Sequence, residues 1–217
     1  GVSSNCGSSN VLDSLGVKFS NDEYHLKKCL EVSNICYLHA PLFHPSMKNV
    51  APIRKDLGFK TFFNLLGPLV NPTKPQNQLT GVYNLETARL YGYIFKNTNK
   101  NFSIIYSLDG YDEISLTNEF KLITNKEEII SDASYFKLNK VDPKKILGGK
   151  SVGESADIFV KILGGKGSLS QVNVVLANSS LAIRTLTGKD IEECYSIAKE
   201  SLDSGKAYNC LKKLIEL

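Results

Sequence analysis

Apolar and polar positions follow two different periods along the chain. Short apolar stretches that are typical of strands occur in "NQLTGVYN", "NFSIIYS" and "FKLITN", and a stretch with helical spacing, "LETARLYGYIFKNT", separates the first two. Strands that alternate with helices indicate parallel β-α units. The pattern therefore predicts an α/β fold with a mostly parallel central sheet flanked by helices.

The remaining sequence is predicted to be mainly helical. A short helix is expected in "SSNVLDSLGV", and a longer one is expected from a cap at Ser20 or Asn21 to about residue 33. The stretch "NICYLHAPL" fits either a strand or a turn-rich link. "HPSMKNVAPIRKDLG" also looks helical, although Pro52 interrupts its middle. The last third contains helical stretches separated by glycines: "ESADIFVKILGG", "LSQVNVVLANSSLAIRTLTG", "DIEECYSIAKESLDSG" and "KAYNCLKKLIEL".

Composition and charge narrow the functional classes. The chain has 217 residues, of which 42% are hydrophobic, so a sizeable core can be buried. The formal net charge of +4 suits anionic small-molecule substrates and is too small to predict nucleic-acid binding. No apolar run reaches transmembrane length, so no membrane partner is expected.

The cysteines point to a reducing compartment. They stand at positions 6, 29, 36, 194 and 210, an odd number with scattered spacing. No CxxC motif or Cys/His cluster has the spacing of a zinc site. We therefore expect reduced thiols in a cytoplasmic protein.

An acidic pair is the first candidate site. Asp112 and Glu113 follow a glycine turn after the predicted strand "NFSIIYS". Ligands of open α/β sheets lie outside the carboxyl ends of strands, and paired carboxylates suit Mg²⁺. The ordinary alternative is a solvated acidic turn.

Other stretches could bind anions or form a pocket wall. "GVSSNCGSSN" places glycines and small hydroxyl residues before a helix, which suits a phosphate, although it could also be a flexible loop. "HPSMKNVAPIRKDLG" contains His44 and Arg54, and the Arg54 guanidinium can bind a carboxylate in bidentate fashion. The alternative is a basic helix face in water. Gly67 and Pro68 form a rigid turn that could line a flat aromatic pocket or be only a turn.

Taken together, these stretches resemble the anthranilate phosphoribosyltransferase family. "HPSMKNVAPIRKDLGFKTFFNLLGPLVNP" is close to the most characteristic signature of the family. "GVSSNCGSSNVLDSLGV", "GYDEIS" and "VNVVLANSSLAI" add to it in the family's order. The resemblance implies transfer of the 5-phosphoribosyl group from phosphoribosyl pyrophosphate (PRPP) to the amine of anthranilate in tryptophan biosynthesis.

The resemblance also implies roles for the candidate residues. Asp112 and Glu113 would hold Mg²⁺, and Arg54 would bind the anthranilate carboxylate. His44, Gly67 and Pro68 would line the anthranilate channel. The residues that would contact PRPP are Gly1, Val2, Ser3, Ser4 and Ser8.

The family also suggests how the chain is organised. Residues 16–57 would belong to a small helical lobe, and residues 1–15 and 58–217 to the α/β phosphoribosyltransferase domain. The family's first helices and its glycine-rich pyrophosphate loop would precede Gly1, so we expect a C-terminal portion without transferase activity of its own. A homodimer is expected for the complete enzyme.

Two other functions remain open from the sequence. A pyrimidine nucleoside phosphorylase resembles this fold, although the Arg54 segment and "NLLGPLVNP" fit anthranilate better. A non-catalytic, nucleic-acid-binding relative is expected to lack the acidic pair and to have a basic surface. No nucleic-acid partner is therefore expected here.

Overall fold

The computed structural model describes residues 6–43 and 63–217. The chain divides into two compact units. The first combines the described residues of Gly1–Pro72 with Gly148–Gly165 and Gly205–Leu217, and the second combines Thr73–Leu147 with Lys166–Ser204.

The described residues form helices, strands and short 3-10 turns. The helices are α1 (Ser8–Ser14), α2 (Glu23–Ser33), α3 (Ala40–Phe43), α4 (Phe63–Leu66), α5 (Leu85–Lys96), α6 (Val152–Leu163), α7 (Leu169–Thr187), α8 (Ile191–Asp203) and α9 (Lys206–Ile215). The strands are β1 (Asn77–Gly81), β2 (Asn101–Ser107), β3 (Phe120–Thr124) and β4 (Glu128–Ser131). The 3-10 turns are Gly67–Leu69, Ala133–Phe136 and Pro143–Lys145.

The second unit is built on a mixed sheet with the strand order β1-β2-β3-β4. β1 and β2 are parallel and are connected through α5, whereas β2–β3 and β3–β4 are antiparallel. The α/β class is confirmed, but the sheet of the described residues is mixed where a mostly parallel one was expected. For β3 and β4 the reason is that a parallel crossover needs a connection long enough for a helix. Residues 125–127 between β3 and β4 allow only a tight reversal.

The core of the second unit lies between this sheet and α7. Its buried side chains come from β2, β3, the connection between them, the 3-10 turn Ala133–Phe136 and α7, and α7 packs on β1 and β2. Burial of this apolar area is the main stabilising contribution. The buried residues are Ile105, Ile114, Leu116, Phe120, Leu122, Ala133, Phe136, Ala177 and Leu181.

The first unit is helical in its described residues. α1 packs on α6, and α9 packs on α2 and α6. Its core contains Val17, Cys29, Leu211 and Leu214. The thiols of Cys29, Cys36, Cys194 and Cys210 are free.

Most predicted elements are present where the pattern placed them. α2 begins after Asp22, whose carboxylate accepts from the His25 N–H. This cap lies one residue after Asn21 and two after Ser20, the two predicted caps. β4 was not predicted. The stretch "NICYLHAPL" contains no strand; it is a link whose last residues belong to α3. The expected division into a lobe over 16–57 and an α/β domain stays a prediction, because much of the lobe lies outside the described residues. Among the described helices, none is both long and apolar enough to cross a membrane.

Candidate functional site

Asp112 and Glu113 lie in the second unit, in the connection that leaves the carboxyl end of β2 and returns to β3. Gly110 adopts φ 94°, a conformation that favours glycine, and its N–H donates to the Ser107 carbonyl at 2.9 Å. The Ser107 N–H in turn donates to the Tyr111 carbonyl at 3.0 Å. These bonds turn the chain sharply, so the acidic pair comes directly above the strand end.

A hydroxyl cluster ties together two parts of this connection. The Asp109 carboxylate accepts hydrogen bonds from the Ser115 hydroxyl, at 3.3 Å, and from the Thr117 hydroxyl. Ser115 is buried, and its hydroxyl lies 2.8 Å from that of Thr117. Because Asp109 precedes the acidic pair and the two hydroxyl residues follow it, the cluster closes a loop around Asp112 and Glu113.

The backbone that follows the acidic pair is fixed from two sides. The buried Ser107 hydroxyl donates to the Glu113 carbonyl at 2.6 Å. The Ile114 N–H donates to Asn178 Oδ1 at 2.9 Å, and Asn178 Nδ2 donates back to the Ile114 carbonyl at 2.9 Å. Asn178 lies on α7, so a helix of the same unit holds the loop in place.

Gly81 at the end of β1 leaves room for Asp112. A Cβ atom at position 81 would lie 1.8 Å from the Asp112 carbonyl oxygen, far inside van der Waals contact. Only glycine therefore fits here without displacing the backbone of the acidic pair.

The electrostatics of the pair favour a cation. Both residues are exposed at the surface. Although Glu113 is exposed, the protein around its carboxyl removes part of its hydration. This loss, a hydrogen bond that the protonated Glu113 carboxyl donates to the Asp112 carboxylate and the negative charge of Asp112 together raise the pKa of Glu113 to about 7. A divalent cation would remove this repulsion, so two ionised carboxylates could then stand side by side.

The donor set fits Mg²⁺ better than a metal held by protein alone. Within 6–43 and 63–217, no group of three or more His, Cys, Asp or Glu side chains is arranged to hold a metal ion. Mg²⁺ commonly binds one or two carboxylates and takes its other ligands from water and substrate phosphates. Asp112 and Glu113 meet that requirement.

The other predicted site residues fall in two groups. Ser8 is the exposed first residue of α1, and Gly67 and Pro68 begin a 3-10 turn after α4. All three belong to the first unit. The remaining candidates lie outside the described residues: Gly1, Val2, Ser3, Ser4, His44 and Arg54.

The sequence reasoning missed the residues that support the acidic pair. Asn178 gave one usable signal, because it is an amide within the mainly apolar stretch "VNVVLANSSLAI" of a buried helix. Such an amide must find hydrogen-bond partners. Gly81 and Ser107 gave no comparable signal, because their role depends on contacts that only the folded chain reveals.

Comparisons with known proteins agree with the fold. Residues 1–208 match the family model described as glycosyl transferase family, a/b domain. The anthranilate phosphoribosyltransferase of Flavobacterium johnsoniae is 56% identical over 217 residues, which are 100% of this chain and 66% of that protein. The chain thus spans about two thirds of the length of this curated relative.

Solved structures give the same result. Anthranilate phosphoribosyltransferase from Saccharomyces cerevisiae in complex with PRPP and Mg is 27% identical with a TM-score of 0.89, covering 98% of this chain and 61% of that one. The yeast enzyme in complex with 4-fluoroanthranilate is 25% identical with a TM-score of 0.86, covering 97% of this chain and 62% of that one. The resemblance to anthranilate phosphoribosyltransferase is therefore confirmed, and the chain belongs to the glycosyl transferase family whose a/b domain its residues 1–208 match.

Proposed function

We propose that the protein transfers the 5-phosphoribosyl group of PRPP to the amine of anthranilate and releases pyrophosphate, as a step of tryptophan biosynthesis. The observation that carries this proposal is the 56% identity with the Flavobacterium johnsoniae enzyme along the whole chain. The chain spans 66% of that relative, so the relative's activity is carried over as a proposal. The relatives do not favour a nucleoside phosphorylase or a nucleic-acid-binding protein.

Asp112 and Glu113 are the proposed Mg²⁺ ligands. The two residues are adjacent and exposed, and loss of hydration together with the nearby Asp112 carboxylate raises the pKa of Glu113, which a bound cation would offset. The solved yeast neighbour carries both PRPP and Mg. Bound Mg²⁺ would supply charge neutralisation to the departing pyrophosphate.

Anthranilate is proposed to bind to Arg54 and to the residues that would line its channel. Arg54 would pair with the anthranilate carboxylate and so orient its ring, while His44 and the turn at Gly67 and Pro68 would line the channel. A planar guanidinium matches a carboxylate in two parallel hydrogen bonds, which fixes orientation as well as position. A yeast neighbour with 4-fluoroanthranilate supports a substrate of this kind.

PRPP is proposed to bind at the N-terminal stretch. Small hydroxyl side chains and exposed backbone N–H groups before a helix are suited to phosphate oxygens. Ser8 is exposed where α1 begins. The proposed contacts are Gly1, Val2, Ser3, Ser4 and Ser8.

The proposed reaction depends on positioning. The anthranilate nitrogen forms a bond to the anomeric carbon of PRPP, the bond from that carbon to the pyrophosphate oxygen breaks, and its electron pair leaves with pyrophosphate. The new C–N bond leaves a proton on nitrogen, which passes to water. Orientation of the amine by Arg54 and stabilisation of developing charge carry a reaction of this type.

We further propose a homodimer in the cytoplasm. The family resemblance supports the dimer. The free thiols of Cys29, Cys36, Cys194 and Cys210 agree with a reducing compartment.

A fluorescence assay tests the proposed function. Purified full-length protein is mixed with anthranilate, PRPP and Mg²⁺. The amount of anthranilate consumed, obtained from the loss of its fluorescence, should equal the amount of pyrophosphate released. Parallel assays measure thymidine phosphorolysis and DNA binding at several salt concentrations. The affinity of a DNA-binding protein that contacts phosphates falls steeply as the salt concentration rises. Unchanged anthranilate together with activity in either parallel assay would contradict the proposal.

A further inference from the structure

The loop that carries the acidic pair depends on one side chain that is distant in sequence. Asn178 is 64 residues from Ile114, yet its amide accepts a bond from the Ile114 N–H at 2.9 Å and donates to the Ile114 carbonyl at 2.9 Å. The same Nδ2 also donates to the Val174 carbonyl, one turn earlier on α7, at 2.8 Å. Both N–H bonds of the amide are therefore used within the protein.

From this arrangement we infer that Asn178 is a positioning residue for Asp112 and Glu113. Both amide N–H groups of Asn178 already donate within the protein, so they cannot donate to a ligand. We therefore expect Asn178 to affect a bound cation through the backbone of the loop. Ile114 is fully buried and directly follows Glu113, which means that the two bonds to Asn178 fix the peptide at the end of the acidic pair. The inference rests on the proposed function, because the pair is positioned for the proposed Mg²⁺ site.

Other contacts of the same segment show why positioning is needed here. The acidic pair is exposed and belongs to a connection without regular secondary structure, so neither residue is held by a sheet or helix ladder. Binding constellations must be held to within roughly 0.5 Å of their working geometry. The Ser107 hydroxyl holds the Glu113 carbonyl from the strand side, and Asn178 holds the next residue from the helix side.

A matched pair of variants separates positioning from general stability. Asn178→Ala removes both bonds to the loop. Asn173→Ala is the control, because Asn173 is also a half-buried asparagine of α7 and accepts a bond from the Tyr195 hydroxyl at 3.4 Å on another side of the helix. Asn178→Ser adds a milder change, since a serine hydroxyl can still bond the carbonyl four residues earlier while the bonds to Ile114 are lost.

The measurement is Mn²⁺ binding to full-length protein with PRPP present, followed by electron paramagnetic resonance. Loss of a residue that orients metal ligands typically weakens metal binding about 10- to 100-fold, and we expect this loss in both Asn178 variants. Asn173→Ala should bind Mn²⁺ as wild type does. Anthranilate affinity, measured by fluorescence, should stay unchanged in all three variants, whereas a general loss of structure would weaken both ligands.

The outcomes distinguish this inference from the proposed function. If wild type binds Mn²⁺ and a folded Asn178 variant binds it equally well, the positioning role is wrong and the Mg²⁺ proposal stands. If Asn178→Ala does not fold, the same comparison with wild type is made for Mn²⁺ binding by Asn178→Ser. If wild type itself binds no Mn²⁺ with PRPP, the proposed metal site is wrong, and the inference falls with it.

Discussion

The close approach of Gly81 to Asp112 makes a single added methyl group a strong perturbation. In Gly81→Ala, the new Cβ would lie 1.8 Å from the Asp112 carbonyl oxygen, 2.8 Å from its carbonyl carbon and 3.2 Å from its Cβ. Ordinary contact begins at 3.4 Å, so the carbonyl oxygen would have to move by roughly 1.6 Å, the difference between the two distances. The obstacle is backbone, which cannot rotate away as a side-chain tip would.

Two consequences follow for Gly81→Ala. Overpacking of this kind costs about 1–3 kcal/mol, which corresponds to a melting temperature lower by about 2 to 12 °C for a domain of this size. Displacement of Asp112 should also raise the Mg²⁺ concentration that gives half-maximal transferase rate. Thermal unfolding followed by circular dichroism and a Mg²⁺ titration measure the two effects.

Gly148→Ala provides the control for the added methyl group. A Cβ at Gly148 would meet no heavy atom within 4 Å, so this variant should melt and respond to Mg²⁺ as wild type does. If Gly81→Ala also melts with wild type and has the same Mg²⁺ requirement, the argument from the close approach is refuted.

Two further predictions concern the substrate and the acidic pair. Arg54→Ala should lower kcat/KM for anthranilate about ten- to a hundredfold, through loss of a charge-assisted bond worth about 1.5–3 kcal/mol, and should affect PRPP much less. Steady-state kinetics with each substrate varied check this, and an equal effect on both would contradict it. The raised pKa of Glu113 predicts that stability without cation falls as the pH rises from about 4.5 to about 7, because the folded state binds more protons than the unfolded state in that window. Glu113→Gln should flatten this part of the pH profile in urea denaturation, and an unchanged profile would show that Glu113 titrates normally.

Local signals predicted most of the elements. α7 begins with a capping box in which the Ser168 hydroxyl accepts the Gln171 N–H, and it ends at Gly188 in the left-handed conformation, as helix rules anticipate. β4 was missed because it has only four residues and follows β3 after a turn of three. A strand that short has too few positions to reveal alternation, and its pairing with β3 decides its conformation.

The site was only half predictable for a similar reason. A glycine turn after an apolar strand is a local pattern, and it was enough to place Asp112 and Glu113 at the carboxyl end of β2. The support from Asn178 depends on a contact across 64 residues. Neither its spacing nor its residue type identifies the partner, because any half-buried amide needs hydrogen bonds and the fold alone decides which groups are within reach.

The proposed role of Asp112 and Glu113 is tested most directly by changing both carboxylates. The rate of phosphoribosyl transfer by full-length protein is measured against Mg²⁺ concentration for wild type and for Asp112→Asn combined with Glu113→Gln. The double variant should show a higher Mg²⁺ requirement and a lower kcat, because the charge that holds the cation beside the leaving pyrophosphate is lost. Anthranilate binding should change little. If the two Mg²⁺ curves superimpose, Asp112 and Glu113 are a solvated turn with no part in the reaction.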